Sequence, residues 1–249
     1  DVAIKDYDKA IGLNGTCTTA FFHRAAAYQL SDNLEAAIAD YTTVISQDPP
    51  AVDALRNRAI VFTACGQLEN ALADFNAAIA IDATNAEVFY LRGKIHGQQT
   101  RYASAIEDFT ESLRLDDTLV QNYRTRGLVH KKLGNYENAV RDFSEFVRRK
   151  PTNQWILNEL AWIHATCADD NIRDGAKAVE LAKRACAESN WKDSSFIDTL
   201  AAAYAETGDW KNAIGNQEQA VRLAATEAER ADRRKRLTLY QNRDTVRMP

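Results

Sequence analysis

Hydrophobic and small residues recur along this chain in two alternating helical stripes. The first stripe begins with an aromatic or aliphatic residue and reaches a small residue four positions later, as at Phe21 and Ala25. The second stripe follows a short turn and has the form Ala-Ile-x-x-Phe, as at Ala105 and Phe109. Spacings of three and four residues are typical of the apolar face of a helix. The pattern therefore predicts an all-α chain made of antiparallel helix pairs.

These stripes repeat with a period of 34 residues. Arg24, Arg58, Arg92 and Arg126 are each 34 positions apart, and the alanines and aromatic residues of the second stripe share the same step. The fifth period is 40 residues long, so it carries six additional residues, mostly around the segment CADDNIRDG. The predicted division is a second helix alone at 1–17, six units over 18–227 (18–51, 52–85, 86–119, 120–153, 154–193 and 194–227), and a charged C-terminal helix and tail at 228–249.

A helix pair every 34 residues closely resembles the tetratricopeptide repeat, in its consensus-like bacterial form. The segment YRTRGLVHKKLGNYENAVRDFSEFVRRKP is close to a consensus unit, and the resemblance covers nearly the whole chain. It implies a right-handed superhelical solenoid whose concave face is lined by the first helix of each pair. In this family that inward face is the usual surface for binding peptides.

Each of the first four full units places an arginine in its first helix and an aspartate in its second. The two positions are symmetrical about the turn, so an antiparallel hairpin brings them level. In the fifth and sixth units both positions change together, to Leu160 with Leu181 and to Leu200 with Asn216. Because an unpaired buried guanidinium is costly, we expect structural ion pairs rather than arginines free to bind an anionic ligand. The expected pairs are Arg24 with Asp40, Arg58 with Asp74, Arg92 with Asp108, and Arg126 with Asp142.

The resemblance also indicates which side chains would line a peptide groove. Aromatic and basic residues dominate its middle, which would suit an extended or acidic peptide. A solvated face without a ligand is the alternative. The lysine and asparagine set that some relatives use to hold a peptide's terminal carboxylate is not reproduced, and only Arg56 and Asn57 resemble fragments of it. The candidates are Phe22, Arg56, Asn57, Tyr90, Lys94, Arg124, Lys131, Trp155, Asn158 and Trp162.

Histidines and cysteines give little support for a metal site or a disulfide. His96, His130 and His164 repeat at 34 residues, in a position that other units fill with an aromatic side chain. Stacked units would hold them about 10 Å apart, whereas zinc ligands lie about 2 Å from the metal. We therefore expect them to pack as aromatic residues, with no metal site. The four cysteines have no suitable spacing for a disulfide, so free thiols are expected.

Composition and motifs argue against several other classes of function. The chain has 249 residues and a net charge of -4, which gives no general reason to expect a nucleic-acid or membrane partner. It contains no glycine-rich phosphate loop, no HExxH and no GxSxG, so we expect neither an enzyme nor a cofactor. No apolar run is long enough to span a bilayer. We expect a soluble protein, with export only if Asp1 is a processed N-terminus.

The two terminal helices suggest a possible contact between copies of the chain. The first helix lacks a preceding partner in the repeat register, so its apolar face is expected to be uncovered. Continuing the register beyond residue 227 places an arginine where Asp6 would need one. The C-terminal helix of one copy could then cover the first helix of the next, in a head-to-tail contact that forms a ring or a filament. The candidates for self-association are Ile4, Asp6, Tyr7, Ile11, Arg234 and Leu237.

The sequence thus favours a non-enzymatic scaffold for protein interactions. Its solenoid ends suit head-to-tail association, which leaves two more specific alternatives open. One is a structural subunit of a filament or tube, and the other is a monomeric adaptor that binds an extended peptide in its groove. The basic residues near the C-terminus alternate with acidic ones, which favours a capping helix over a nucleic-acid-binding arm.

Overall fold

The computed structural model of the chain describes residues 2–49 and 51–248. Within these residues it contains fourteen α-helices and no β-strand, which confirms the expected all-α class. No described helix combines the length and the apolar character needed to cross a lipid bilayer. The helices are α1 (Val2–Leu13), α2 (Thr18–Leu30), α3 (Leu34–Gln47), α4 (Val52–Ala64), α5 (Leu68–Ile81), α6 (Ala86–Gln98), α7 (Tyr102–Leu115), α8 (Val120–Lys132), α9 (Tyr136–Arg149), α10 (Gln154–Thr166), α11 (Gly175–Glu188), α12 (Ser194–Glu206), α13 (Trp210–Leu223) and α14 (Glu227–Gln241).

Tight turns hold the two helices of a pair antiparallel. Gly66, Gly134 and Gly208 have φ angles of 73°, 72° and 75°, a region that glycine enters without a steric penalty. The following helix often begins at an asparagine or aspartate, because such a side chain accepts a hydrogen bond from an otherwise unpaired N–H of the first turn. Asn33 and Asn135 cap α3 and α9 in this way. The turn residues visible in the sequence thus set where each pair reverses.

The fifth helix pair contains the additional residues predicted from the period. Eight residues, 167–174, connect α10 to α11, whereas three residues connect α8 to α9. Five residues, 189–193, connect α11 to α12, against four between α9 and α10. The longer turn folds back on α10, since the amide of Asp174 donates to the carbonyl of His164 at 2.9 Å. The extra length therefore lies in connections and leaves the helices at their usual size.

The chain divides into two compact units, with the boundary between Leu119 and Val120. In the first unit, apolar clusters form around Tyr41 and around Phe75. In the second unit, a larger cluster contains Phe143, and an alanine-rich cluster surrounds Tyr240. Each unit is a helical repeat solenoid with its own core, as expected for stacked helix pairs.

Candidate protein-interaction site

Each of the first four complete helix pairs contains an arginine–aspartate ion pair that joins its two helices. In each, Nε and Nη2 of the arginine donate to the two carboxylate oxygens of the aspartate, at donor–acceptor distances of 2.6–3.0 Å. All four aspartates are buried. Such planar, two-pronged contacts are the strongest type of side-chain ion pair. The structure thus brings together the residues predicted to pair: Arg24 with Asp40, Arg58 with Asp74, Arg92 with Asp108, and Arg126 with Asp142.

Three of these arginines also bind the preceding helix pair, which the sequence analysis missed. Nη1 of Arg24 donates to Asp8 at 2.6 Å, and the carboxylates of Asp40 and Asp8 together raise the pKa of Arg24. Nη1 of Arg58 and of Arg92 donates in the same way, to Thr42 at 2.8 Å and to Asn76 at 2.7 Å. The signal was available, because Asp8, Thr42 and Asn76 are 34 residues apart and all carry an acceptor oxygen.

The final helix pair replaces the missing arginine pair with a different polar cluster. Buried Asp198 accepts a hydrogen bond from Nε2 of Gln217 at 2.7 Å and a short one from Arg236 of α14. The same Gln217 amide donates to the carbonyl of Arg233 at 3.0 Å. Burial raises the pKa of Asp198, and the positive charge of Arg236 opposes that shift. This cluster fixes α14 on α12 and α13, and no repeat of the sequence pointed to it.

The second unit contains a polar groove on the face formed by its first helices and α14. We call this cavity of about 350 Å³ the α10–α12 groove. Trp162 lies in its wall with the Arg236 guanidinium 5.3 Å from the centre of its ring. The residues that line the groove are Lys131, Asn158, Glu159, Trp162, Ser195, Asp198, Thr199, Glu229, Asp232, Arg233 and Arg236.

Two buried polar atoms of the groove have no hydrogen-bond partner among the described residues. They are Oδ1 of Asn158 and Nε of Arg233, an acceptor and a donor. Leaving such groups unpaired costs free energy, so they favour a ligand or water that can pair with them. Trp155 lies near the start of α10, 56% exposed, and contacts the ring of Phe196 edge-on. The lining of the groove therefore contains unpaired polar groups, and an exposed aromatic side chain outside that lining lies on the same helix, one turn before Asn158.

The basic side chains expected to attract an acidic peptide are partly neutralised. Lys131 forms a short ion pair with Glu159 across the groove. In the first unit, Arg56 lies 3.2 Å from Glu87. Arg124 remains exposed on α8. Lys131 and Arg56 are thus each paired with a carboxylate on a neighbouring helix, and their role in binding a peptide stays a prediction.

The other five groove candidates belong to the first unit. Arg56 donates to the side chain of Asn57 at 3.3 Å. Lys94 is exposed and lies over the ring of Tyr90 at 5.6 Å. Phe22 contributes to a shallow cavity of about 380 Å³ whose remaining walls are Thr18, Thr19, Val44, Asp48, Ala51, Val52, Asp53 and Ala54. Among the described residues, none of these five has a buried polar atom without a hydrogen-bond partner, in contrast to Asn158 and Arg233 of the α10–α12 groove.

The three repeated histidines lie in buried or half-buried positions of the helix pairs. His96 faces Asp108 at 3.8 Å, and Nδ1 of His164 lies 2.7 Å from the carbonyl of Ile172. Burial lowers the pKa of His96, His130 and His164. In the part of the chain that the structure describes, no three metal-ligating side chains cluster together. The four cysteines are free thiols.

The first helix is more covered than the sequence predicted. Ile4, Tyr7 and Ile11 are half-buried against α2, where the ring of Tyr7 stacks on His23 at 6.0 Å. The apolar face predicted to be uncovered is thus partly covered, because α2 packs against α1. Asp6 is exposed and lies 3.8 Å from Lys9.

The last helix also differs in detail from the expectation. Arg233 and Tyr240 of α14 are buried against the rest of the second unit. Arg234, the residue predicted to meet Asp6, is exposed and lies 3.1 Å from Glu227. Leu237 is half-buried. The side chains proposed for contact between copies are thus accessible in part, and the charged ones have partners within their own helices.

Two family models match the sequence. One, described as TPR repeat, matches residues 60–100, and the other, described as tetratricopeptide repeat, matches residues 86–118 and 121–153. The matched segments contain the helix pair α6 with α7 and all but the first residue of the pair α8 with α9. The chain therefore contains tetratricopeptide repeats within residues 60–118 and 121–153. Tetratricopeptide repeats are generally interaction modules without catalytic activity, which is consistent with protein partners.

Solved structures of similar fold support the same assignment of architecture. A TPR repeat-containing protein from Cytophaga hutchinsonii is 17% identical, with a TM-score of 0.72, 92% of this chain covered and 92% of that one. YrrB, described as a TPR protein with an unusual peptide-binding site, is 17% identical with a TM-score of 0.71, covering 78% and 97%. MamA from Desulfovibrio magneticus RS-1 is 18% identical with a TM-score of 0.60, covering 69% and 94%. No curated protein matches this chain in sequence.

Proposed function

We propose that this protein is a non-enzymatic interaction scaffold that binds an extended peptide segment of a partner in the α10–α12 groove. The observation that carries the proposal is that two residues lining that groove each have a buried, unpaired polar atom, Oδ1 of Asn158 and Nε of Arg233. A peptide backbone supplies an N–H donor and a carbonyl acceptor at every residue, and so can pair with both. YrrB, a protein of the same fold, is described as having a peptide-binding site, which is consistent with this function.

The charges of the groove favour a peptide of mixed polarity over an acidic one. Lys131 and Arg236 lie beside Glu159, Asp198 and Asp232, so neither sign of charge dominates the lining. Exposed Trp155 provides an aromatic surface of the kind that dominates binding energy at interfaces. We therefore expect specificity to come from backbone hydrogen bonds and an aromatic contact, with net charge contributing less.

The test is a selection of random peptides on the immobilised full chain, followed by measurement of their dissociation constants by fluorescence anisotropy. Trp155→Ala and Asn158→Ala should each weaken the selected peptides by about tenfold or more, as truncation of a central contact does. The matched control is Glu218→Ala, an exposed position on α13 of the same unit. Unchanged affinity in both groove variants, or an equal loss in the control, would contradict the proposal.

Self-association of solenoid ends is a second candidate, favoured by the exposure of α1. No residue of α1 is fully buried, and Tyr7 is only half-buried. The residues at the same register position, Tyr41, Phe75, Phe109 and Phe143, are at most 1% exposed. In this candidate function, α14 of a second copy packs on α1 and brings exposed Arg234 to exposed Asp6. This candidate function assumes the predicted division of the chain, in which six units occupy 18–227 and a capping helix follows them.

Light scattering across a range of concentrations tests this second candidate. The wild-type mass should rise with concentration, Asp6→Arg should prevent the rise by repelling Arg234, and the combination of Asp6→Arg with Arg234→Asp should restore it. Lys5→Ala, another exposed position on α1, serves as the control. A wild-type chain that stays monomeric at every concentration would exclude the contact, as would assembly that is unaffected by either single substitution.

A further inference from the structure

The chain turns back on itself after α14. Asn242 caps the helix, and Arg243 has a φ angle of 57°, in the left-handed region that reverses a chain at a helix end. The amide of Asp244 then donates to the carbonyl of Leu239 at 2.9 Å, which closes the reversal. The residues that follow form no helix. We call residues 244–248 the C-terminal strap.

The strap lies against the C-terminal ends of α10 and α12 and shares one residue, Trp162, with the lining of the α10–α12 groove. Val246 packs in the alanine-rich cluster beside Trp162 and Leu239. The amide of Met248 donates to the carbonyl of Thr166, at the end of α10, at 2.7 Å. The indole N–H of Trp162 lies 3.1 Å from the sulfur of the same methionine. The strap is therefore an extended peptide seated by apolar contacts and by one backbone hydrogen bond.

One ion pair fixes the register of the strap. Nη1 of Arg247 lies 2.7 Å from Oε2 of Glu206, at the end of α12. The other oxygen of this carboxylate accepts a hydrogen bond from Nε of Arg173, also at 2.7 Å. Arg173 is in turn bound to the carbonyl of Cys167 at 2.7 Å, so the long turn of the fifth helix pair holds Glu206 in place. The additional residues of the fifth helix pair thus help to position a carboxylate, that of Glu206, which pairs with an arginine.

We infer that the surface under the strap, which adjoins the α10–α12 groove at Trp162, recognises an extended apolar–arginine–apolar segment of a partner protein, and that the strap is the intramolecular occupant of this site. The inference rests on the proposed function and specifies its ligand. The apolar cluster accepts the first residue, Glu206 accepts the arginine, and Trp162 with the Thr166 carbonyl accepts the last residue and its amide. A partner segment binds by displacing the strap, since both use the same atoms.

The contacts of the strap make such displacement feasible. Arg247 is 38% exposed, so its ion pair is screened by solvent, and Met248 supplies only one backbone hydrogen bond. What keeps the strap seated is its covalent attachment, because a short tether gives an effective concentration of the order of mM. If the strap segment by itself has a dissociation constant of about 100 μM for its site, a competing peptide would bind the intact chain about tenfold more weakly than a chain with a released strap.

The experiment compares two full-length variants that carry the same added charge. Val246→Asp with Met248→Asp places carboxylates against the apolar cluster and Trp162, and releases the strap. Ala228→Asp with Gln241→Asp adds two carboxylates at exposed positions of α14 and leaves the strap seated. The probe is a fluorescein-labelled synthetic peptide with the sequence of residues 242–248, measured by anisotropy. It should bind the released variant about tenfold more tightly than the control variant or the wild type.

Two further measurements test whether the arginine of the probe pairs with Glu206. A probe carrying Arg247→Glu should lose about tenfold in affinity for the released variant, and Glu206→Gln in that variant should weaken the original probe. Equal affinity of the probe for the released and control variants would overturn the inference. If peptides selected on the wild type respond to Trp155 and Asn158 while the strap probe binds nothing, the inference fails and the proposed function stands. If only the strap probe binds, and only to the released variant, the inference stands and the broader groove function fails.

Discussion

At the scale of single residues, three of the four repeated arginines, Arg24, Arg58 and Arg92, connect three helices with one guanidinium. Arg92 binds both oxygens of Asp108 in its own pair and reaches Asn76 in the helix before it. Because the carboxylate is buried, its negative charge depends on this partner. We therefore propose that the four pairs are structural, and the cost of breaking one is dominated by the charge that is left behind.

Arg92→Leu is expected to destabilise the first unit by about 3 kcal/mol or more, since Asp108 then stays buried without a counter-charge. The chain itself suggests the matched control, because the fifth unit has Leu160 and Leu181 at these two positions. Arg92→Leu combined with Asp108→Leu should recover most of the loss, as replacing a buried pair by apolar side chains is often neutral. Denaturant unfolding measures both variants, and equal stability of the single variant and the wild type would contradict a structural role.

His130 is a buried side chain that the folded protein favours in its neutral form. Burial lowers its pKa below the ordinary value of 6.5, with Arg126 and Arg141 acting in the same direction and Asp142 opposing. The unfolded chain therefore binds a proton more readily than the folded one. The stability that neutral His130 contributes is complete above about pH 6.5 and is lost as the pH falls below that value.

His130→Phe should reduce the loss of stability on acidification, because Phe62 fills the same register position in another unit. Melting temperatures measured between pH 7 and pH 5 test this expectation. The variant should lose less stability than the wild type over that range, and its curve should be closest to that of the wild type at neutral pH. Parallel curves for the two proteins would show that His130 does not titrate with unfolding.

At the scale of helices, the distance between α8 and α9 is set by a missing side chain. A Cβ added at Gly127 would lie 2.7 Å from Cε1 of Phe143, a ring that is completely buried. Gly93 makes the same close approach, at 2.9 Å to Cε1 of Phe109, whereas the remaining units carry alanine at this position. A Cβ at Gly215, in the middle of α13, would meet no atom within 4 Å.

Substitution of these two glycines by alanine should therefore have opposite effects on the free energy of unfolding. Gly215→Ala should stabilise the second unit by about 0.5–1 kcal/mol, through the better helix propensity of alanine. Gly127→Ala gains the same propensity but forces the Phe143 ring to move, and should destabilise by about 1 kcal/mol net. Thermal unfolding of the two variants decides the matter, and a change of the same sign in both would refute the steric argument.

At the scale of the whole molecule, the clusters described above divide the core between the two units. Phe75 lies at the centre of a cluster formed by α4, α5 and α6, and Phe143 lies in a cluster of the second unit. In stacked repeats, each helix pair stabilises mainly its neighbours. A cavity in one cluster should therefore loosen nearby helices first and leave distant ones protected.

Phe75→Ala removes a buried ring and should destabilise its surroundings by about 3–5 kcal/mol. Amide hydrogen exchange should accelerate across α4–α6, while α10–α13 should exchange at the wild-type rate. Mass spectrometry of peptic fragments gives this profile directly. Uniform acceleration over all fourteen described helices would show instead that the chain unfolds as one cooperative body.

The fold and the Arg–Asp contacts could be read from the sequence because both are periodic. A 34-residue step fixes which positions become level when two helices pair, so the partners of Arg24, Arg58, Arg92 and Arg126 follow from counting residues. The same counting would have found Asp8, Thr42 and Asn76. The charged C-terminal helix was likewise recognisable from its composition, since a terminal helix needs a polar outer face.

Contacts that occur only once required the tertiary structure. The Asp198 cluster, the ion pairs of Lys131 and Arg56, and the strap depend on how side chains from helices without a common register meet in space. No repeat marks such positions, because each contact is made once and its partners are separated by unrelated numbers of residues. The sequence by itself determined the helix pairs, their step and their buried ion pairs. The tertiary structure alone decided which polar atoms of the groove remain unpaired and where the strap packs beside it, since both depend on packing between elements distant in sequence.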